Sequence, residues 1–374
     1  MKRIILAGLM LVPMSAQPVS AWAETLYVSN ERGNSVTVID AASAKVIATW
    51  AVGGRPRGIT VSKDGRYIYL CASTDHAVQV IERATGKVVA ELPSGEDPEQ
   101  FFLSRDGGTL FVANEDNAAL TAIDLANRTV AFQVDVGGEP EGVAQSPDGR
   151  WVAVTSEEEN VVNWVDVAKR EMIDATPVDL RPRHVEFTGD GAQLWVAAEV
   201  GGTVQIVDTA SRKVVETLHF AIPGVAEHRI LPCGIRFTPD GRTAVVALGR
   251  ADHVALVDVA SRKVRAYVPV GKRVWHVAVS GDGARAYAAN GLSDNVSVID
   301  LARGEVTGTI PVGVAPWGSW RFPEMAAAPA FEGELWPVRG WIAQGSPGKG
   351  RWEEPTDPWR QLAKHGHAQL HPKR

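Results

Sequence analysis

The sequence predicts an all-β fold, a seven-bladed β-propeller of four-stranded antiparallel blades, and three repeat markers in one register carry that expectation. Asp-Gly recurs at Asp64, Asp106, Asp148, Asp190, Asp240 and Asp282, 42 residues apart except for one step of 50. An acidic residue closes an apolar strand at Asp40, Glu82, Asp124, Asp166, Asp208, Asp258 and Asp300, with the same spacings. Pro stands at 56, 98, 140, 182, 232 and 316, and Val274 fills the gap in register. A unit of ~40–45 residues with four short strands is a propeller blade. The acidic marker counts seven blades.

In chain order, the first element is a secretory signal over residues 1–23. Lys2 and Arg3 supply its positive start, Ile4 to Met14 its apolar stretch, and Ala21-Trp22-Ala23 its cleavage site. Glu24 then begins the mature chain. The apolar run is shorter than the ~20 residues a spanning helix needs. Export to the periplasm is the expectation, with no membrane span after cleavage.

The propeller is expected over residues 24–318. In the second unit the strands read Gly58 to Ser62, Tyr67 to Ala72, Ala77 to Glu82 and Lys87 to Leu92. Lys63-Asp64-Gly65 joins the first two, and Gly supplies the positive φ of a tight hairpin. β-branched and aromatic residues fill the strands, often in alternation. The chain enters at the second strand of a blade, Leu26 to Asn30. The missing innermost strand must therefore come from beyond Pro316-Trp317-Gly318, which removes the open edge.

The last element, 319–374, breaks the pattern. Its strand motif blurs at Ser319-Trp320-Arg321-Phe322 and Pro323 follows at once. Five Trp and seven Pro fall in these 56 residues with no repeat marker. Pro at this density continues neither a helix nor a central strand, so disorder is expected. A genuine extension and a frameshift product are both open readings.

Composition narrows the function. A net charge of −6 with a pI near 5.9 argues against nucleic acid, which needs a basic face. Two Cys exclude a disulfide scaffold and multi-Cys metal sites, and no Cys-x-x-Cys-His attaches a haem. The histidines spread over several blades, so no metal site is expected. No spacing marks a catalytic triad, and no Gly-x-Ser-x-Gly elbow occurs.

The residue after each marker Pro begins an innermost strand and is expected at the channel mouth. These positions read Arg57, Glu99, Glu141, Arg183, Cys233, Trp275 and Trp317, and the next ones include His184 and His276. An inserted loop from Ile222 to Arg229 adds His228 on the same face. Two alternatives stand. Arg57, Glu99, Glu141, Arg183, His184, His228, Trp275, His276 and Trp317 form a site for a small anion or polar cofactor, or the charges neutralise one another and merely close the channel. Ten carboxylates, among them Glu96, Asp97, Glu115 and Glu157, map to the same side as an acidic crescent suited to a basic partner.

Tyr27-Val28-Ser29-Asn30, Phe111-Val112-Ala113-Asn114 and Tyr287-Ala288-Ala289-Asn290 resemble the signature of YVTN β-propeller repeats. Asn34 to Asp40 and Asp294 to Asp300 resemble its next strand. With the signal peptide, the whole is similar to propellers associated with pyrroloquinoline quinone (PQQ)-dependent alcohol catabolism. The resemblance implies a periplasmic accessory protein. Its partner would be a quinoprotein dehydrogenase, a cytochrome c or a transporter component, with no cofactor of its own and PQQ present only through that enzyme. The leading expectation is thus an exported, non-catalytic propeller that binds a protein partner or small ligand. The alternative is a lactonase-like hydrolase, or a PQQ- or haem-binding redox protein, on the same fold.

Overall fold

Twenty-eight strands in seven sheets of four make up the described residues, 24–322 of a computed structural model, with side chains described through Ser319. The chain divides into two units, Met1–Ala326 and Ala327–Arg374, and the second lies outside the described residues. So do the expected signal at 1–23 and the tail from Pro323 onward.

Each Asp-Gly marker is a hairpin turn with one hydrogen-bond scheme. Ser62 Oγ donates to Asp64 Oδ1 at 2.6 Å, which also accepts the Arg66 N–H, while Ser62 Oγ accepts the Tyr67 N–H. Gly65 follows at φ +69°. The hydroxyl two residues before the Asp recurs at Ser104, Ser146, Thr188, Thr238 and Ser280. The turn therefore needs Ser or Thr, Asp and Gly together, and a small polar side chain closing on its own backbone is what selects them.

Burial falls from the axis outward. The innermost strand Pro56–Val61 is buried throughout, whereas the outermost strand Lys45–Ala51 is largely exposed. Core clusters lie between blades: Tyr27, Val36 and Val38 of blade one pack on Ile59, Ile68 and Leu70 of blade two. Alternating residues of each strand serve the two neighbouring sheets, as period-two side chains must.

Blade one is closed by strand Pro316–Phe322, which pairs antiparallel with Thr25–Asn30. The pairing reaches Thr25↔Phe322, so the closing strand runs four residues past Gly318, where the sequence pattern blurs. Ser29 reinforces the seam: its Oγ accepts the Gly318 N–H at 3.0 Å and donates to Arg57 C=O at 2.7 Å.

The innermost strands meet around the axis in layers. One residue past the charged layer, the chain reads Gly58, Gln100, Gly142, His184, Gly234, His276 and Gly318. Glycine and a large side chain alternate because neighbouring inner strands leave no room for both to carry one. A Cβ on Gly142 would sit 2.8 Å from His184 Cα and 2.9 Å from Arg183 O. A Cβ on Gly234 would meet His276 Cα at 2.8 Å.

Gly142→Ala is expected to cost about 2 kcal/mol, since backbone atoms rather than a side-chain tip must move. Gly189→Ala, with nothing within 4 Å of the new Cβ, is expected to leave stability unchanged. Thermal unfolding of both variants checks the contrast; equal melting temperatures would contradict the axial packing.

Candidate functional site

Two ends of the axis carry chemistry. At one end lie the loops between second and third strands. The sequence-predicted Arg57, Glu99, Glu141 and Arg183 come together there, all buried at the starts of their strands. They do so as one ion-pair ring. Arg57 pairs with Glu31 at 2.9 Å and with Glu99; Arg183 pairs with Glu141, with Glu157 at 2.9 Å and with Glu199 at 3.0 Å. Trp275 lies under the Arg273 guanidinium at 3.6 Å, and Trp317 lies 5.0 Å from that of Arg57. His228 sits on the exposed turn Glu227–Arg229 of the inserted loop.

The ring also uses residues that the sequence reading did not single out as channel-lining. Arg55, Arg181 and Arg273 precede the inner strands at positive φ, with Asp97 and Glu139 in equivalent places. Such a backbone is uncommon outside glycine. It is held by a hydrogen bond from the second-to-third-strand loop, as in Glu115 N–H to Asp97 C=O and Glu199 N–H to Arg181 C=O. This contact brings Glu115, Glu157 and Glu199 to the ring. Arg55 bonds Asp97 at 2.7 Å and Glu99 at 3.0 Å; Arg181 bonds Glu157 at 2.6 Å; Arg273 bonds Glu199 at 2.6 Å. The signal for all of them was the 42-residue register applied one residue before the Pro and one residue after the second strand.

The expected acidic crescent is thereby divided. Glu99, Glu141 and Glu157 are buried in the ring, whereas Glu96, Asp116, Glu158 and Glu159 remain exposed. Five arginines (55, 57, 181, 183, 273) face seven carboxylates (31, 97, 99, 115, 141, 157, 199). Burial pushes Glu157 up to about 10, against its two arginines, while Arg183 and a hydrogen bond from Glu157 hold Glu141 well below the usual carboxylate range. One proton is thus shared between Glu141 and Glu157. Burial likewise raises Glu99, which bonds Glu115. Most of the ring's charges are thus paired with one another, while Glu99 Oε1 and Glu157 Oε1 are buried in ion-pair contact but without a hydrogen-bond partner.

The opposite end, which carries the Asp-Gly turns, holds a cavity of about 570 Å³. Ser62-Lys63 and Ser104-Arg105 form its rim, Phe101 and Phe102 contribute apolar lining, and Gln100, His184, Glu186 and Arg236 its polar lining. His184 and Glu186 come from strand Pro182–Phe187, and Arg236 from Ile235–Phe237. Arg236 Nη1 stands 2.6 Å from Glu186 Oε2 and 3.0 Å from His184 Nε2. Burial holds His184 below its usual range, so its imidazole is neutral at pH 7. Burial opposes the ionisation of Glu186, but the Arg236 guanidinium prevails and holds its carboxyl below the usual range. His276 packs edge-on to His184 at 5.5 Å and against Trp317 at 4.3 Å, and burial depresses its basicity further. The cavity thus contains a neutral imidazole, a cation and a carboxylate in mutual contact.

Comparison with known proteins bears on this site. The family model "Lactonase, 7-bladed beta-propeller" matches residues 14–91 and 169–312, more than half of the chain. The "Cytochrome D1 heme domain" model matches residues 68–178. No curated protein matches the sequence significantly. A putative 6-phosphogluconolactonase from Bacteroides uniformis aligns with TM-score 0.68 at 17% identity, over 81% of this chain and all (100%) of that one. A Kuenenia stuttgartiensis hydrazine synthase chain aligns at 0.62 with 22% identity, over 70% and 87%. Dihydro-heme d1 dehydrogenase NirN aligns at 0.61 with 16% identity, over 82% and 78%. Identities this low show a shared fold alone. The matches overturn the expectation of a non-catalytic accessory propeller, since they point to a lactonase or haem-related function instead. The finer resemblance to propellers of PQQ-dependent catabolism gains nothing from them.

The shared proton of the ring predicts unequal effects of two isosteric changes. Glu141→Gln removes a paired buried charge and is expected to cost about 3 kcal/mol. Glu157→Gln replaces a group already protonated and is expected to change stability at pH 7 by less than about 1 kcal/mol. Because Glu157 is raised in the folded chain, its stabilising contribution is complete below pH 4.5 and lost as pH climbs toward about 10. Urea unfolding from pH 5 to 10 should therefore show a shallower alkaline decline for Glu157→Gln; parallel curves would exclude the shared proton.

Proposed function

Because the chain belongs to the lactonase family of seven-bladed β-propellers, we propose that it hydrolyses a lactone in the cavity at the Asp-Gly end of its axis. The observation that carries the reading is the contact of His184, Arg236 and Glu186 in that cavity. Opening a lactone needs a base to take a proton from water and a positive group for the developing oxyanion. Neutral His184 is the base. Arg236 is the oxyanion partner, held in place by Glu186. As the carbonyl oxygen engages Nη1 of Arg236, His184 Nε2 is released to accept a proton from the attacking water. The new C–O bond forms, the ring C–O bond breaks, and the imidazolium returns its proton to the leaving alkoxide. The product is the open hydroxy acid, and no redox partner enters. Phe101 and Phe102 give the substrate an apolar wall.

The match to a haem domain raises tetrapyrrole binding as a second use of the cavity. The histidines do not fit it. His276 does not line the cavity, and iron could reach His184 Nε2 only if Arg236, which also holds Glu186, gave up its place beside it.

The test is ring opening of a panel of sugar and aromatic lactones, followed by acid release. His184→Asn and Arg236→Met are each expected to lower kcat by about 100-fold or more. kcat/KM should be flat above pH 6.5 and fall below it, because a base held under its usual value of 6.5 protonates only in acid. Activity unaffected by either change, or a visible absorption band carried through purification, would overturn the hydrolase reading.

A further inference from the structure

We propose that Gln100 is a positioning residue that fixes His184 in its Nδ1–H tautomer and so keeps the Nε2 lone pair on the cavity side. The proposal rests on the hydrolase reading only for the use made of that lone pair.

The assignment follows from one hydrogen-bond chain. Gln100 has two neighbours on the axis, Arg183 C=O at 3.1 Å and His184 Nδ1 at 3.3 Å. A carbonyl oxygen only accepts, so the Gln100 NH₂ must face it. Oε1 then faces Nδ1, and an amide oxygen only accepts, so Nδ1 must carry the proton. At the other side of the ring, Arg236 Nη1 lies 3.0 Å from Nε2, and a guanidinium only donates. With the proton on Nδ1, Nε2 is free to accept from Arg236, whose Nη1 also donates to Glu186 Oε2 and Ile235 C=O. The Nε2 end does not decide by itself, because the Glu186 carboxylate, which only accepts, lies 3.6 Å from the same nitrogen. The Gln100 contact at Nδ1 is what selects the tautomer, since in a neutral imidazole one nitrogen donates while the other accepts.

The amide is itself locked. Its Nε2 also approaches Glu141 Oε1 at 3.5 Å, and Gln100 is buried. The bare Gly142 and Gly58 on either side give it space: a Cβ on Gly58 would lie 3.1 Å from Gln100 Cα, and one on Gly142 would press on the backbone of Arg183 and His184. The ion-pair ring and the cavity histidine are thus joined through one side chain. Had Gln100 been hydrophobic, nothing from the axis would hold the proton on Nδ1. In the other tautomer Nε2 would carry the hydrogen, confront the Arg236 donor, and have no lone pair for water.

The experiment reads the tautomer without substrate. In protein labelled with ¹⁵N-histidine at pH 8, long-range ¹H–¹⁵N correlation gives the shifts of both ring nitrogens, with His184 identified by its loss in His184→Asn. The expected wild-type result is a protonated Nδ1 and an unprotonated Nε2. In Gln100→Met the two nitrogens should shift toward a tautomer mixture. If lactone turnover is present, kcat of that variant should fall by at least about tenfold, with KM within about twofold. A wild-type His184 protonated at Nε2, or a Gln100→Met spectrum and kcat equal to wild type, would overturn the proposal. If Gln100→Met fails to fold, Gln100→Asn, which keeps the amide but draws it back by one methylene, is read in the same way, and a wild-type tautomer in it would overturn the proposal. A correct tautomer in a wild type that opens no lactone would count against the hydrolase reading alone.

Discussion

Volume at the axis is the constraint from which the rest of the structure follows. Seven inner strands converge there, and each brings a side chain in the same layer. Only Gln100, His184 and His276 are larger than hydrogen; the other four positions are glycine. Close packing makes this a discrete choice, because an added methyl group would meet backbone and not empty space. Where a glycine stands, its N–H must still be satisfied. Thr155 accepts the bond from Gly142, Ser29 accepts that from Gly318, and Gly234 donates to Trp275 C=O. The pattern of small residues on the first strand and hydroxyls on the second is one solution to a single steric problem.

The charged layer above it solves a second problem. Arginines and carboxylates buried this deeply lose water, and each needs partners to offset that loss. The ring supplies them by crossing blades: Arg183 reaches Glu141 of blade four and Glu199 of its own blade, while Arg273 of blade seven reaches Glu199. Each arginine thereby ties sheets that share no strand pairing. The ring is best understood as the plug and fastener of the channel.

The same layering separates structure from chemistry. Most upper charges are paired with one another, and a second set of polar groups lies below the glycine layer. There, Glu186 and Arg236 from adjacent blades occupy a wider part of the axis, next to a neutral histidine. Gln100 connects the two levels, with its amide bonded upward to Arg183 and sideways to His184. Both Cys71 and Cys233 stay free and buried in this packing, their thiols raised by desolvation and unsuited to act as nucleophiles.

The sequence by itself determined the blade number, the strand order and the closure of blade one, because Asp-Gly turns and acidic strand ends recur in a fixed register. It also placed Arg57, Glu99, Glu141, Arg183 and His184 on the axis, since one position in a repeat implies one radius. Only the tertiary structure decided which of these are spent on each other. Arg55, Arg181 and Arg273 enter the ring through a left-handed backbone that no propensity assigns to arginine, and Glu31 and Glu199 enter through loops 26 and 16 residues from their Arg57 and Arg183 partners. The cavity lies at the end of the axis opposite the expected mouth for the same reason. Glu186 and Arg236 are 50 residues apart and belong to different blades, so their contact exists only once the blades are assembled. Periodicity fixes what each blade repeats; pairing across blades depends on distances that only the closed ring defines.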